Sequence, residues 1–402
     1  MHIPRISGLF PIVAGATGFD NSCQRVILTP VTEQLNDKTI ALRVLHLASE
    51  KTWRGGENQI RLLMEGMAAR GHEPFLAADE GSEILRRLGG KFPVIKAPMS
   101  RLAWPRTVWQ LHRFCRANRI KIIDAHSSKA HDLGLGLVAL DPSRRLIVHR
   151  RVDYPVRGTK YQSPKVARYV AISHAIAGVL AAGGVAPSRI DVVRSAVETA
   201  PHRTVDRVTA RDNLRQLLGL PQSTILFGNA SALSEQKGYG YLMEASAILK
   251  SRGLDFHVVI AGDGPLRNEL EQLRIKLELD NHVSFLGFIT EVPEFLAGLD
   301  VFAMTSIDEG LGTAALDAAL AGICPLVSNV GGLPEIVTDG KTGLVVPAKD
   351  PQAIAEAMTR LAGDQALRTR LASAAQSFVA SNFSVDAMVE GNLKVYSDLD
   401  LT

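Results

Sequence analysis

Apolar and polar positions switch repeatedly between a short strand period and a helical one along this chain. Residues 41–48 are an almost unbroken apolar run and read as a buried strand. From Glu57 to Arg70 apolar residues recur at 60, 63, 64, 67 and 68, which is a helical spacing. A glycine turn at Gly71 leads into a second apolar run at 74–78. Strand, glycine loop, helix and strand make a βαβ unit, which implies a parallel sheet. Further strands are predicted at 120–124, 146–149, 169–172 and 190–193.

A polar, proline-containing stretch at 198–222, with a helix inside it, reads as a connection between domains. The alternation then restarts. Strands are predicted at 224–229, 256–261, 283–286, 301–304, 325–328 and 343–346. Helices are predicted at 239–252, 266–277, 292–299, 313–321, 351–362 and 365–382. The expected fold class is α/β, with two doubly wound, Rossmann-like domains facing each other across a cleft. The expected parts are a poorly ordered extension (1–39), a first domain (40–200), a second domain (201–383) and a C-terminal helix (384–402) that packs back on the first domain. In such sheets ligands sit at the carboxyl ends of the strands, so the cleft should collect those ends from both domains.

Length agrees with this division, since 402 residues exceed one ordinary core. The three cysteines, Cys23, Cys115 and Cys324, lack metal-ligand spacing; this argues against a disulfide framework and fits a reducing compartment. No apolar run approaches the ~20 residues of a transmembrane helix. Residues 1–39 carry a short apolar stretch broken by Pro11 and glycines, with only Arg5 before it, which is a poor match to a secretory signal. Charge is unevenly spread. Residues 1–200 hold 29 Lys+Arg against 16 Asp+Glu, and the remainder hold 16 against 25. A basic first half attracts an acidic partner: an anionic membrane surface, a phosphorylated lipid acceptor or nucleic acid.

The most informative chemistry lies at 306–322. Two acids, Glu309 and Asp317, bracket a glycine-rich turn that runs into an alanine-rich helix. Such a turn offers free backbone N–H groups and the positive end of a helix dipole, which suits a phosphate. The acids can accept hydrogen bonds from sugar hydroxyls on either side of it. A sugar nucleotide needs all three features at once.

Around this segment a set of strings follows in order: 258–265, ending in Gly262, Asp263, Gly264 and Pro265; 283–287; 309–328; 331–336; and 339–344. Together they resemble the retaining glycosyltransferases of the GT-B fold, family 4 (group 1), and the resemblance extends over residues 40 to about 397. It implies transfer of a sugar from a nucleotide-diphosphate donor to a hydroxyl of a saccharide or glycolipid acceptor, with retention at the anomeric carbon. Glu309 is then expected to contact the transferred sugar. The N–H groups of Leu311, Gly312 and Thr313 would hold the distal phosphate, and Asp317 the ribose. Glutamate is the commoner residue at that second position.

Lys237, before Gly238, resembles the family lysine that neutralises the diphosphate. Relatives often carry an arginine five residues earlier, where this chain has Ala232. Arg54, Arg150 and Arg151, in strand-end loops of the basic first domain, are candidates to replace it. Gly55 and Gly56 would face the diphosphate, Gly262 and Gly264 would shape the loop beside the nucleotide, and His126 would face the donor sugar. Neither a metal nor a cofactor is expected, because Lys237 can stand in for a divalent ion.

Residues 101–121 interleave Arg101, Arg106, Arg113, Arg116, Arg119 and Lys121 with Trp104, Trp109, Leu111 and Phe114. They read either as a segment lying on an anionic membrane or as an amphipathic helix buried on its own sheet. A cytoplasmic enzyme at the inner face of the membrane, acting in envelope polysaccharide or lipopolysaccharide assembly and not on nucleic acid, is the expectation. A sugar-nucleotide 2-epimerase or hydrolase on the same fold, or an inactive nucleotide-sugar binder, are the alternatives.

Overall fold

The computed structural model describes residues 41–400 apart from Arg54, Arg101 and Arg157. The expected N-terminal extension and these three arginines therefore lie outside the described residues. Thirteen described strands form two sheets, and every strand pair within them is parallel. The first sheet holds β1 (Arg43–Ala48), β2 (Glu73–Ala78), β3 (Val94–Lys96), β4 (Ile122–Ala125), β5 (Arg145–Arg150), β6 (Val166–Ala171) and β7 (Ile190–Val192), in the order β3-β2-β1-β4-β5-β6-β7. The second holds β8 (Ile225–Ala230), β9 (Phe256–Ala261), β10 (Val283–Gly287), β11 (Val301–Met304), β12 (Cys324–Ser328) and β13 (Leu344–Val346), in the order β10-β9-β8-β11-β12-β13. Helices link successive strands throughout, so each sheet is a Rossmann-like domain of the expected α/β class.

Strand order reverses between β1 and β4 in one sheet and between β8 and β11 in the other. Loops that leave these four strands diverge to opposite faces and open a crevice. They are 49–53, the turn at His126, 231–237 and 305–312, which include most of the chemistry singled out in the sequence. The short edge strand β3 was not anticipated. It has three residues, of which only Ile95 is partly buried against the core, too short a stretch to read as a buried strand.

The period-two alternation of the first sheet has a second consequence. In β1, Leu45 and Leu47 enter one core, while Val44 enters another shared with Ile122 of β4, Ile147 of β5 and the last helix, Val385–Asp400. His46, Asp124 and His149 share phase with Val44, Ile122 and Ile147, and His46 pairs in register with Asp124. Three polar side chains are thereby carried to one face of a buried sheet.

The last helix covers that face. Met388, Val389, Val395 and Tyr396 are buried there, and the helix crosses Gly55–Ala69 so closely that a Cβ on Gly66 would lie 2.4 Å from Val389. The polar connection is likewise packed. Its helix Arg207–Leu218 is capped by Asp206 and ends at the left-handed Gly219. Arg215, fully buried, donates to Asp300 Oδ2 at 2.6 Å and to the Thr224 carbonyl at 2.9 Å.

Helix Trp104–Ala117 buries Thr107, Val108, Leu111 and Cys115. Trp104, Trp109 and the helix arginines Arg106, Arg113 and Arg116 are on its exposed side, so this segment has both of the faces considered from the sequence.

Candidate functional site

The acid-bracketed loop is held at several points by backbone geometry. Ile307 N–H donates to the Gln236 carbonyl at 2.8 Å, and Gly332 N–H donates to the Glu309 carbonyl at 3.2 Å. Gly331 has φ +52°, and a Cβ there would lie 1.6 Å from the Glu309 carbonyl oxygen, so no other residue fits against this turn. Gly312, at φ +97°, precedes helix Thr313–Leu320 with no side-chain cap. The N–H groups of Leu311, Gly312 and Thr313 have no partner among the described residues. A helix start with open donors is an anion site.

Glu309 and Lys237 meet at this turn. Lys237 Nζ lies 2.5 Å from Glu309 Oε2, both side chains are largely buried, and Ser306 Oγ donates to the same oxygen at 3.4 Å. Lys237 is placed by a 3-10 turn that ends at the left-handed Gly238, where a Cβ would meet the Thr305 carbonyl oxygen at 2.2 Å. Asp317, one helical turn further on, is 3.3 Å from His202 Nε2 in the crossover between the domains. Gly55, Asn58, Glu198, His202, Thr313 and Asp317 line a cleft of about 170 Å³ between the domains.

Gly262 and Gly264 pack against the loop after β8. Cβ atoms there would lie 2.0 Å from the Ser231 carbonyl oxygen and 2.5 Å from that of Leu233. These two turns therefore pack backbone against backbone. Gly55 and Gly56 differ. Cβ atoms there would meet Thr313 Oγ1 at 3.6 Å and Arg151 Cδ at 3.7 Å, which are ordinary contacts. The protein itself does not require glycine at either position.

His126 is not free to reach into the cleft as the sequence suggested. Its ring is buried, with Nε2 3.0 Å from His46 Nδ1 and 3.3 Å from Asp124 Oδ2, and Nδ1 3.2 Å from Arg151 Nη2. An arginine can only donate, so Nδ1 is the acceptor and the proton sits on Nε2. Burial drives the His126 pKa down to about 3 against the pull of Asp124, so the ring is neutral at ordinary pH.

Asp124 is the charged centre of this group. Tyr396 donates to its Oδ2 at 2.5 Å, and His149 Nε2 lies 3.1 Å from Oδ1. Burial opposes the charge, but His126 and His149 hold its pKa well below the usual carboxylate range. His46, Asp124 and His126 also bring three potential metal-ligand atoms within 4.8 Å of one another. A cation fits this set poorly, because Tyr396 already occupies Oδ2 and the Arg151 guanidinium stands against the outer nitrogen of His126. Sequence reasoning missed His46, Asp124, His149 and Tyr396. The available signal was a polar residue at the same phase in three neighbouring strands.

The seam between the domains adds further partners. Ser173 Oγ donates to the Gly310 carbonyl at 2.7 Å. Glu335, within a motif string of the second domain, accepts from Ala175 N–H at 3.2 Å and lies 3.4 Å from Arg194. It thus serves domain docking. Gln236 donates to Asp153 at 3.4 Å, and burial with the adjacent Asp153 carboxyl pushes Asp308 up to about 6.

Residues 53–201 match the family model for Glycosyltransferase Family 4, and residues 210–378 match that for Glycosyl transferases group 1. An alpha-D-kanosaminyltransferase of Streptomyces kanamyceticus is 31% identical over 201 residues, 50% of this chain and 52% of that protein. The lipopolysaccharide core biosynthesis glycosyltransferase LpsE of Rhizobium meliloti is 32% identical over 190 residues, 47% of this chain and 54% of that protein. The chain spans about half the length of the curated relatives it matches. Among solved structures, HepE of Anabaena in complex with UDP and glucose superposes with a TM-score of 0.78 at 21% identity, covering 89% of this chain and 100% of that one, a likeness of fold. With both domains matched in order and the fold superposed, the chain belongs to the group 1 glycosyl transferases, the family 4 glycosyltransferases of GT-B fold.

Proposed function

We propose that this protein moves a sugar from a nucleotide-diphosphate donor to a hydroxyl acceptor with retention of anomeric configuration. The observation that carries the reading is the Lys237–Glu309 pair at 2.5 Å beside the open N–H groups of the Gly312 turn. A donor laid across that turn places its distal phosphate on the helix start and its sugar against Glu309. Lys237 then exchanges its carboxylate partner for the diphosphate and stabilises the charge that develops as the diphosphate leaves. Asp317 receives the ribose hydroxyls. The leaving phosphate helps to deprotonate the acceptor hydroxyl on the same face of the sugar, which gives retention. Lys237 and the helix start supply the positive charge, so transfer proceeds without a divalent ion and EDTA leaves the rate unchanged.

The HepE complexes hold UDP and UDP-glucose, so UDP-sugars are the first donors to try. LpsE works in lipopolysaccharide core assembly, which supports an envelope saccharide or glycolipid as acceptor. The exposed basic and aromatic face of helix Trp104–Ala117 supports peripheral docking on the anionic inner surface of the cytoplasmic membrane. Thermal stabilisation by UDP-, GDP- and ADP-sugars identifies the donor. Glu309→Ala then abolishes transfer while the variant keeps its wild-type melting temperature; undiminished turnover overturns the assignment.

A further inference from the structure

Among the described residues, the donor loops of the second domain carry one side-chain cation, Lys237, and that cation is paired with Glu309. Ala232, where the resemblance led to the expectation of a second cation, is exposed and contributes no charge. Three first-domain arginines were candidates to replace it. Arg54 lies outside the described residues. Arg150 is committed elsewhere, since it donates to Tyr161 Oη at 2.9 Å and to the Tyr154 carbonyl. Arg151 remains.

Arg151 follows β5 directly, and its backbone and side-chain stem are both placed against the donor loops. Its carbonyl oxygen packs against Gly310, where a Cβ would lie 2.7 Å away. Its Cδ is 3.7 Å from the position of a Cβ on Gly56. The stem therefore stands between the loop after β1 and the Glu309 turn. One end of the guanidinium is fixed by His126 Nδ1 at 3.2 Å, and behind His126 stand Asp124 and Tyr396. The Nε–H of Arg151 is buried and has no partner among the described residues. A buried guanidinium donor with no acceptor is costly unless something else supplies one.

We infer that Arg151 is the second cation of the donor diphosphate site, supplied from the first domain in place of the residue missing at Ala232. The inference rests on the donor reading proposed above. It accounts for the ordinary space at Gly56, where a side chain would fit the protein but would stand beside this guanidinium. It also gives His126 a positioning role: the ring holds the guanidinium and does not itself touch the sugar. Burial lowers the Arg151 pKa, and Asp124 and Glu57 oppose that shift, so the group stays charged. Arginine suits the task because its planar fork can serve His126 and a phosphate oxygen at once.

The test is equilibrium binding with no acceptor present, so that a phosphorylated acceptor cannot contribute. Wild type is titrated with UDP, GDP and ADP, and the one that binds is compared with its parent nucleoside. Arg151→Met is expected to weaken the diphosphate by about 10- to 100-fold, the range of charge-assisted hydrogen bonds, and the nucleoside by less than about 2-fold. Arg151→Lys, which keeps the charge and loses the fork, falls between them. Ala232→Arg in the Arg151→Met background restores part of the lost diphosphate affinity. The inference is overturned if Arg151→Met binds the diphosphate as wild type does, or if diphosphate and nucleoside weaken together, which marks a structural arginine. If wild type binds none of the three diphosphates, the donor reading itself fails, and this inference with it.

Discussion

The two walls of the cleft are built by different means. On the second domain the candidate groups are mainly backbone: open N–H groups at the start of helix Thr313–Leu320 and carbonyls that exclude any Cβ at Gly331, Gly238 and Gly262. Glu309 and Lys237 are added at fixed places on that frame. On the first domain the candidate groups are side chains drawn from distant parts of the chain. His46, Asp124, His126, His149, Arg151 and Tyr396 come from three strands, two strand-end positions and the last helix. A backbone site is specified by a contiguous string of small residues. A side-chain cluster is specified by register and packing, and neither is written in any one segment.

The largest expected effect breaks the backbone wall at a residue that touches no ligand. Gly331→Ala puts a Cβ within 1.6 Å of the Glu309 carbonyl oxygen, so the Glu309 turn must move by more than an ångström. A displacement of that size costs on the order of 100-fold in rate. Initial rates with saturating donor measure it. Gly56→Ala is the matched control on the other wall, since its Cβ meets only ordinary contacts. It leaves the melting temperature unchanged and weakens only ligand-dependent quantities. Equal thermal destabilisation by both would erase the distinction between the walls.

This difference also explains what could be read from the sequence. The two sheets, the order of helices and strands and the placement of Glu309, Lys237, Gly312 and Asp317 were legible because they follow from local periodicity and short motifs. The buried group around Asp124 was not. Residues 46, 124 and 149 are far apart in the chain, and only the pairing of β1 with β4 and of β4 with β5 puts them side by side. Tyr396 joins them because the last helix crosses back onto the first sheet, at a distance of 272 residues from Asp124. His126 was placed at the correct strand end, yet its direction depended on partners that no local pattern names. Glu335 shows the reverse case, a residue in a legible motif whose observed partners, Ala175 and Arg194, belong to the other domain.

A smaller effect sharpens the side-chain wall. Tyr396→Phe removes one hydroxyl, the buried donor 2.5 Å from Asp124 Oδ2. A hydrogen bond to a charged group is worth about 1.5–3 kcal/mol, and the carboxylate left behind lies in a fully buried position. The loss is read as a lower urea midpoint at constant slope. If the cluster holds Arg151 as described, diphosphate affinity falls in the same variant, although Tyr396 is remote from the cleft. An unchanged midpoint would mean that the last helix is held by its apolar contacts alone.

The smallest effect lies at the seam, where each wall contributes a carboxyl group. Asp308 of the second domain has its pKa pushed up to about 6 by burial and by Asp153 of the first. In the unfolded chain the same group titrates near ~3.9. Between these values the folded protein binds the extra proton and the unfolded chain does not. The stabilisation is therefore fully present below about pH 4 and is lost as pH rises through 6. Asp308→Asn keeps a neutral side chain at every pH and escapes that loss. The expected result is that the melting temperature of Asp308→Asn, relative to wild type, rises as pH is raised from 4 to 6.5. Asp153→Asn should give a difference in the same direction, because it removes the repulsion between the two carboxylates from the other side. A difference that stays flat across this range in both variants would show that Asp308 does not feel Asp153 and that the seam, like the second wall, is held by backbone contacts such as the Ser173–Gly310 bond.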